Sequence, residues 1–127
     1  MVQKEPFSGC RVLVVEDELL IALELSRTLE DLGCNVVGPA GSIDRALALL
    51  ETQRPDVALL DEDLKGTPVT PVAETLRRLQ IPFAVLSGYD RSITENEILL
   101  NAVRLQKPTP LAAICQVLTE LCGQLDC

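Results

Sequence analysis

The chain has no histidine and no tryptophan, and of its 127 residues only one is tyrosine and two are phenylalanine. Without histidine the commonest general base is missing, so neither a Ser-His nor a Cys-His nucleophile system can be built from this sequence. Zinc chemistry is equally disfavoured. The 5 cysteines, Cys10, Cys34, Cys115, Cys122 and Cys127, are odd in number, form no C-x-x-C pair and have no histidine to complete a site. The expectation is reduced thiols, the inner ones serving as small core residues. Nor is there a run of about 18 consecutive apolar residues to span a bilayer, or the charged-then-apolar layout of a secretory leader at Met1 to Pro6. A cytosolic protein is predicted. Positive charge is scarce as well: 11 Lys and Arg face 19 Asp and Glu, a formal net charge of -8. That balance opposes nucleic-acid phosphates and anionic lipid, and favours a divalent cation or a basic protein partner.

What the chain does have is 47% hydrophobic residues in a length suited to one domain. Arg11-Val12-Leu13-Val14-Val15 is a short β-branched run that stops at Glu16-Asp17-Glu18, as a strand buried on both faces would. A helix follows, with Leu20, Ala22, Leu23, Leu29 and Leu32 as its expected inner face and Gly33 as its stop. Asn35 to Gly38 reads as a second strand, and Ser42 as the N-cap of a helix reaching about Glu51, with Ile43, Ala46, Leu47 and Leu50 inside. Val57-Ala58-Leu59-Leu60 is a third strand and again ends in carboxylates, Asp61-Glu62-Asp63.

A loop from Leu64 to Thr67 leads to a helix from Thr70-Pro71 to Leu79, with proline in its first turn. Pro82 to Leu86 is the fourth predicted strand, ending at Ser87-Gly88-Tyr89. Ile93 to Leu100 reads as a short helix, Val103 to Gln106 as the fifth strand, and Thr109-Pro110 as the start of a last helix through Leu111, Ile114, Cys115, Leu118 and Leu121. Five strands alternating with five helices require parallel pairing by right-handed crossovers, hence a three-layer α/β/α sandwich. In such sheets ligands bind beyond the carboxyl ends of the strands. Glu16, Asp17, Asp61, Ser87 and Lys107 each follow a strand, so they should converge on one edge.

Three carboxylates gathered at one edge repel one another unless a cation neutralises them. All-oxygen donors suit hard Mg²⁺ or Mn²⁺, which keeps waters that a phosphoryl oxygen can replace. A lysine and a hydroxyl beside it would add a point charge and a hydrogen-bond donor. Taken singly, each of these residues is an ordinary solvated loop or turn residue; their joint placement is the signal.

Over Arg11 to Leu121 the chain resembles a response-regulator receiver domain of two-component signalling. The marks are Val-Leu-Val-Val-Glu-Asp-Glu at Val12 to Glu18, Pro-Asp-Val-Ala-Leu-Leu-Asp at Pro55 to Asp61, Ser87, and Lys107-Pro108. The resemblance implies a flavodoxin-like (βα)5 fold with strand order 2-1-3-4-5, and a receiver over residues 11–122 between an N-terminal extension, 1–10, and a tail, 123–127. It implies that Asp61 is the phosphoryl acceptor, that Glu16, Asp17, Asp61 and the backbone carbonyl of Asp63 hold the metal, and that Ser87 and Lys107 sense the phosphoryl group.

Two departures bear on output. Arg104 stands where many receivers carry a switching aromatic, and Tyr89, in a Ser-Gly-Tyr run, resembles a subgroup linked to a distinct class of histidine kinases. Tyr89 and Arg104 are therefore the expected switch positions. Asp63 adds a carboxylate beside the acceptor at a position that varies in the family, and Lys65 replaces a common proline. The expected protein is a stand-alone response regulator, not an enzyme beyond its own phosphoryl acceptance and loss. Its partners would be a histidine kinase or phosphotransfer protein and a downstream protein, with no nucleic acid and no membrane; a homodimer stays open. The rival readings are a degenerate receiver acting as an unphosphorylated binding module and an aspartyl-phosphate phosphatase, for whose usual cap the chain is too short.

Overall fold

A computed structural model of the chain describes residues 9–64, 66–87, 103–106 and 111–122. Five strands form one parallel sheet: β1 (Arg11–Val15), β2 (Asn35–Ala40), β3 (Val57–Asp61), β6 (Phe83–Ser87) and β7 (Val103–Gln106), in the order β2-β1-β3-β6-β7. Counting only these five, this is the expected order 2-1-3-4-5. The helices are α1 (Leu19–Asp31), α2 (Ile43–Gln53), α3 (Thr70–Arg78) and α4 (Leu111–Cys122). The helix expected over 93–100 lies outside the described residues.

The continuous apolar runs behave as parallel strands covered on both sides. Val12, Val14 and Leu59 face one apolar layer with Leu25 and Leu29 of α1 and Ile114, Leu118 and Leu121 of α4. Leu13, Val15, Ala58 and Leu60 face the other, with Ala46, Leu49 and Leu50 of α2 and Val72, Ala73 and Leu76 of α3. Period-two alternation thus divides each strand between two cores. Cys10 and Cys34 are buried in the first layer, and Cys115 is half-buried against it.

Three expectations are corrected. On α1 the buried stripe is Ala22, Leu25, Ser26 and Leu29, whereas Leu20 is 75% and Leu23 50% exposed. Both are expected on the inner face, but at about 100° per residue they lie on the side of α1 turned away from the stripe of Ala22, Leu25 and Leu29, and so face outward. Leu111, at the start of α4, is likewise 54% exposed while Val117 is buried. Finally, the expected loop from Leu64 to Thr67 contains a small antiparallel ladder, β4 (Asp63–Leu64) with β5 (Thr67–Pro68), turning at Gly66 with φ +85°.

Strand β2 continues past Gly38-Pro39, which sequence reading takes as punctuation. Between Leu13↔Val37 and Val15↔Ala40, β2 carries one residue more than β1. This bulge is tolerable because β2 is an edge strand, where proline's missing N–H costs no ladder bond on the outer side. Gly38 makes it feasible: its φ is +97°, and a Cβ there would meet Ala40 N at 2.8 Å and Val14 O at 3.2 Å. The bulge delivers Ala40 to the end of β1, where its carbonyl accepts the Glu16 N–H at 2.9 Å.

Gly38→Ala should therefore cost more stability than Gly66→Ala, although both have positive φ. Gly66 has open space around a built Cβ, so its loss should stay near the ~1–2 kcal/mol of a left-handed non-glycine residue. Gly38→Ala adds a backbone clash and should exceed that in urea unfolding; equal losses would show that the bulge relaxes freely.

Candidate metal and phosphoryl site

The strand ends bring three carboxylates together. Glu16 follows β1, Asp17 follows Glu16, and Asp61 is the last residue of β3, which lies beside β1 with Val15 opposite Leu60. One oxygen from each lies within 4.8 Å of the others. Glu16 is 3% and Asp61 8% exposed, and Asp17 is half-buried.

Local backbone contacts hold this arrangement. Glu16 Oε1 accepts the N–H of Glu18 at 3.2 Å, and Glu18 is the extended N-cap residue of α1, with no side-chain cap of its own. The Glu16 carboxylate thus satisfies backbone at the entrance of α1, where the helix dipole also favours negative charge. Gly41 sits behind the pair, its built Cβ position 3.9 Å from Asp17 Cα and from Glu16 O.

Beyond Asp61 the chain is fixed on both sides. Glu62 N–H donates to Leu86 O at 3.2 Å, and Val69 N–H donates to Glu62 O at 3.1 Å. The second bond sets the phase of the β4-β5 ladder. Because 62 and 69 form a hydrogen-bonded pair, Asp63↔Pro68 is the intervening non-hydrogen-bonded pair. The carbonyl of Asp63 therefore points away from the hairpin partner. Proline opposite it loses nothing, because that position needs no ladder donor.

Buried carboxylates this close are costly unless paired with positive charge. The donor set is all oxygen, and its spacing suits one hard divalent cation bound partly through water, as Mg²⁺ commonly is. Glu16, Asp17 and Asp61 fit such an ion directly, and the Asp63 carbonyl is free of the ladder to join them. Glu62, buried beside the cluster, was read in the sequence only as part of an acidic trio; β3 running through Asp61 and the bond to Leu86 are what hold it in place.

Ser87 ends β6, one register step past Leu86, the partner of Asp61. Its backbone is thus at the same sheet edge. Arg104 lies within β7, opposite Val85. Lys107 and Tyr89 lie outside the described residues; Lys107 directly follows β7 in sequence.

Comparison with known proteins agrees with this construction. A family model, "Response regulator receiver domain", matches residues 12–119. The chain is 29% identical over 112 residues to the phyllosphere-induced regulator PhyR of Methylorubrum extorquens, covering 86% of this chain and 42% of that protein. It is 30% identical to the transcriptional regulatory protein PdtaR of Mycobacterium tuberculosis, over 64% of this chain and 40% of PdtaR. The chain thus spans about two fifths of the length of these curated relatives. The solution structure of SdrG from Sphingomonas melonis Fr1 superposes with a TM-score of 0.79 at 35% identity, covering 89% of this chain and 96% of SdrG. With the carboxylate edge, the sheet order and the match over nearly all of the α/β unit in agreement, the chain belongs to the response regulator receiver domain family.

Proposed function

We propose that the protein is a phosphorylation-controlled signalling module in which Asp61 accepts a phosphoryl group. The observation that carries this reading is the position of Asp61, at a strand end within 4.8 Å of two further carboxylates. In the step, an Asp61 carboxylate oxygen bonds to phosphorus while the bond from phosphorus to the donor breaks, leaving imidazole on a histidine kinase or phosphotransfer protein, or acetate from acetyl phosphate. Glu16 and Asp17, with Asp61 and the Asp63 carbonyl, are the residues for Mg²⁺. A bound Mg²⁺ supplies positive charge for the transferring oxygens. Ser87 and Lys107 are assigned to the same oxygens, as hydroxyl donor and cation.

A BeF3-activated conformation is known for SdrG, 34% identical to this chain with a TM-score of 0.75. A switch driven in the same way, through Ser87, Tyr89, Arg104 and Lys107 toward a downstream protein, is the corresponding proposal here. Phosphorylation biases a conformation only through contacts that differ between two states. The donor must approach the carboxylate edge, and α1 begins there with Leu19, Leu20 and Leu23 exposed. This apolar collar suits a protein donor.

Wild type incubated with acetyl phosphate and Mg²⁺ should gain the mass of one phosphoryl group, and Asp61→Asn should not. EDTA should abolish the gain; labelling of Asp61→Asn would refute the acceptor.

Asp17→Asn should weaken Mg²⁺ binding by roughly tenfold or more, following the removal of one charged oxygen ligand. Asp63→Asn should change it much less, because a backbone carbonyl survives the substitution. Equal losses in an NMR titration would assign the metal to the Asp63 carboxylate instead.

The leucine collar separates protein donors from small ones. Leu20→Asp should slow transfer from a histidine kinase while leaving labelling by acetyl phosphate unchanged, and equal slowing of both would place the effect at the chemistry.

A further inference from the structure

At the opposite pole of the sheet, where the strands begin, the C-terminal halves of α2 and α3 line a cavity of about 510 Å³ with Leu47, Leu50, Glu51, Arg54, Arg78 and Leu79, and with Thr75. Its apolar side is substantial: Leu50 is 1% exposed, and Leu47 and Leu79 are half-buried against the same core layer. Its rim is cationic in a chain whose net charge is -8, because Arg54 and Arg78, both exposed, outnumber the single carboxylate of Glu51.

Helix chemistry explains part of this charge and leaves part unexplained. Arg77 and Arg78 occupy the last turn of α3, where cations compensate the helix dipole. Arg54 is different. It follows the last residue of α2 at φ 37°, in the left-handed conformation that helix ends ordinarily give to glycine or asparagine. An arginine there bears a backbone cost that glycine would not. Its carbonyl accepts from Arg11 Nη1 at 3.3 Å, and Arg11 Nη2 reaches Gln53 Oε1 at 3.4 Å. The main chain under Arg54 is therefore anchored, and the Arg54 side chain lines the cavity.

We propose that this cavity docks an acidic peptide segment of a partner protein, its carboxylates pairing with Arg54 and Arg78 and an apolar side chain entering between Leu47 and Leu79. Charge complementarity selects this occupant. The protein as a whole repels an acidic ligand, so attraction is confined to the arginine rim, and arginine pairs carboxylates in bidentate geometry. The apolar floor adds an anchor that a simple anion would not use. This surface lies at the far end of the strands from Asp61, so the proposal does not rest on phosphoryl acceptance.

The test uses the full chain, ¹⁵N-labelled, with a blocked hexapeptide of alternating Asp and Leu, and the Asn and Leu peptide as control. The acidic peptide should shift amides of residues 47–54 and 75–80, with affinity falling as salt rises. Arg54→Gln with Arg78→Gln should weaken binding about tenfold or more, a change of ~1.4 kcal/mol for each factor of ten. Glu51→Gln, which removes the opposing charge, should tighten it, an outcome that a damaged fold cannot imitate. Arg27→Gln on α1 should leave it unchanged. Equal binding of the Asn peptide, shifts centred elsewhere, no shifts at millimolar peptide, or occupation of the cavity by a second copy of the chain would each overturn the proposal.

Discussion

Two neighbouring strands with almost no solvent contact both run out of apolar residues at the same edge. Val12 to Val15 of β1 and Val57 to Leu60 of β3 are each fully buried. Parallel pairing aligns Val15 with Leu60, so the residues that follow, Glu16 and Asp61, emerge side by side. Neither strand can shift by one residue without exchanging its two apolar faces, since Val12 and Val14 belong to one core and Leu13 and Val15 to the other. Core packing on two faces therefore fixes the register, and the register fixes the carboxylate spacing. The three carboxylates are thus positioned by apolar burial elsewhere in the sheet, in the pre-set manner that a functional constellation on rigid strands requires.

This dependence is why so much of the site was legible in the sequence. A buried parallel strand is a short β-branched run, its end is marked by the first charges, and the edge rule for α/β sheets then puts Glu16, Asp17 and Asp61 together without any contact being known. The sheet order followed from the same pattern once the receiver resemblance was recognised. The expectation fails on the phase of α1, because apolar spacing counted without phase places Leu20 and Leu23 inside. Leu25, Leu29 and Leu32 fall within about 60° of one another at about 100° per residue, whereas Leu20 lies about 180° and Leu23 about 120° from Leu29, so strict helical phasing already separates the two sets. Leucines on two faces of one helix hide its phase from a count of apolar residues, and the buried stripe is completed by Ala22 and Ser26.

The β4-β5 ladder escaped for a different reason. Two-residue strands have no periodicity to detect, and Leu64-Lys65-Gly66-Thr67 carries the composition of a turn. Its consequence for the site is nevertheless specific. The bond from Val69 N–H to Glu62 O sets the phase of the ladder, and that phase turns the Asp63 carbonyl outward. A loop of the same length without the ladder would leave this carbonyl's direction undetermined, so the ladder is what fixes the orientation of the carbonyl proposed as a metal ligand.

The same stitching limits how a change at Asp61 can spread. Glu62 is bonded through its N–H to Leu86 of β6 and through its carbonyl to Val69, the residue that caps α3. Asp61 itself pairs with Leu86, and Ser87 is the next residue along. A charge gained at Asp61 thus meets two backbone routes, one toward the start of α3 and one along the end of β6. The α3 route runs into Val69, Val72 and Ala73, all fully buried in the second core layer, where displacement would open packed apolar surface. The β6 route ends at the sheet edge, at Ser87. Under the proposed phosphoryl acceptance, packing cost therefore makes the β6 route, toward Ser87, the less hindered of the two.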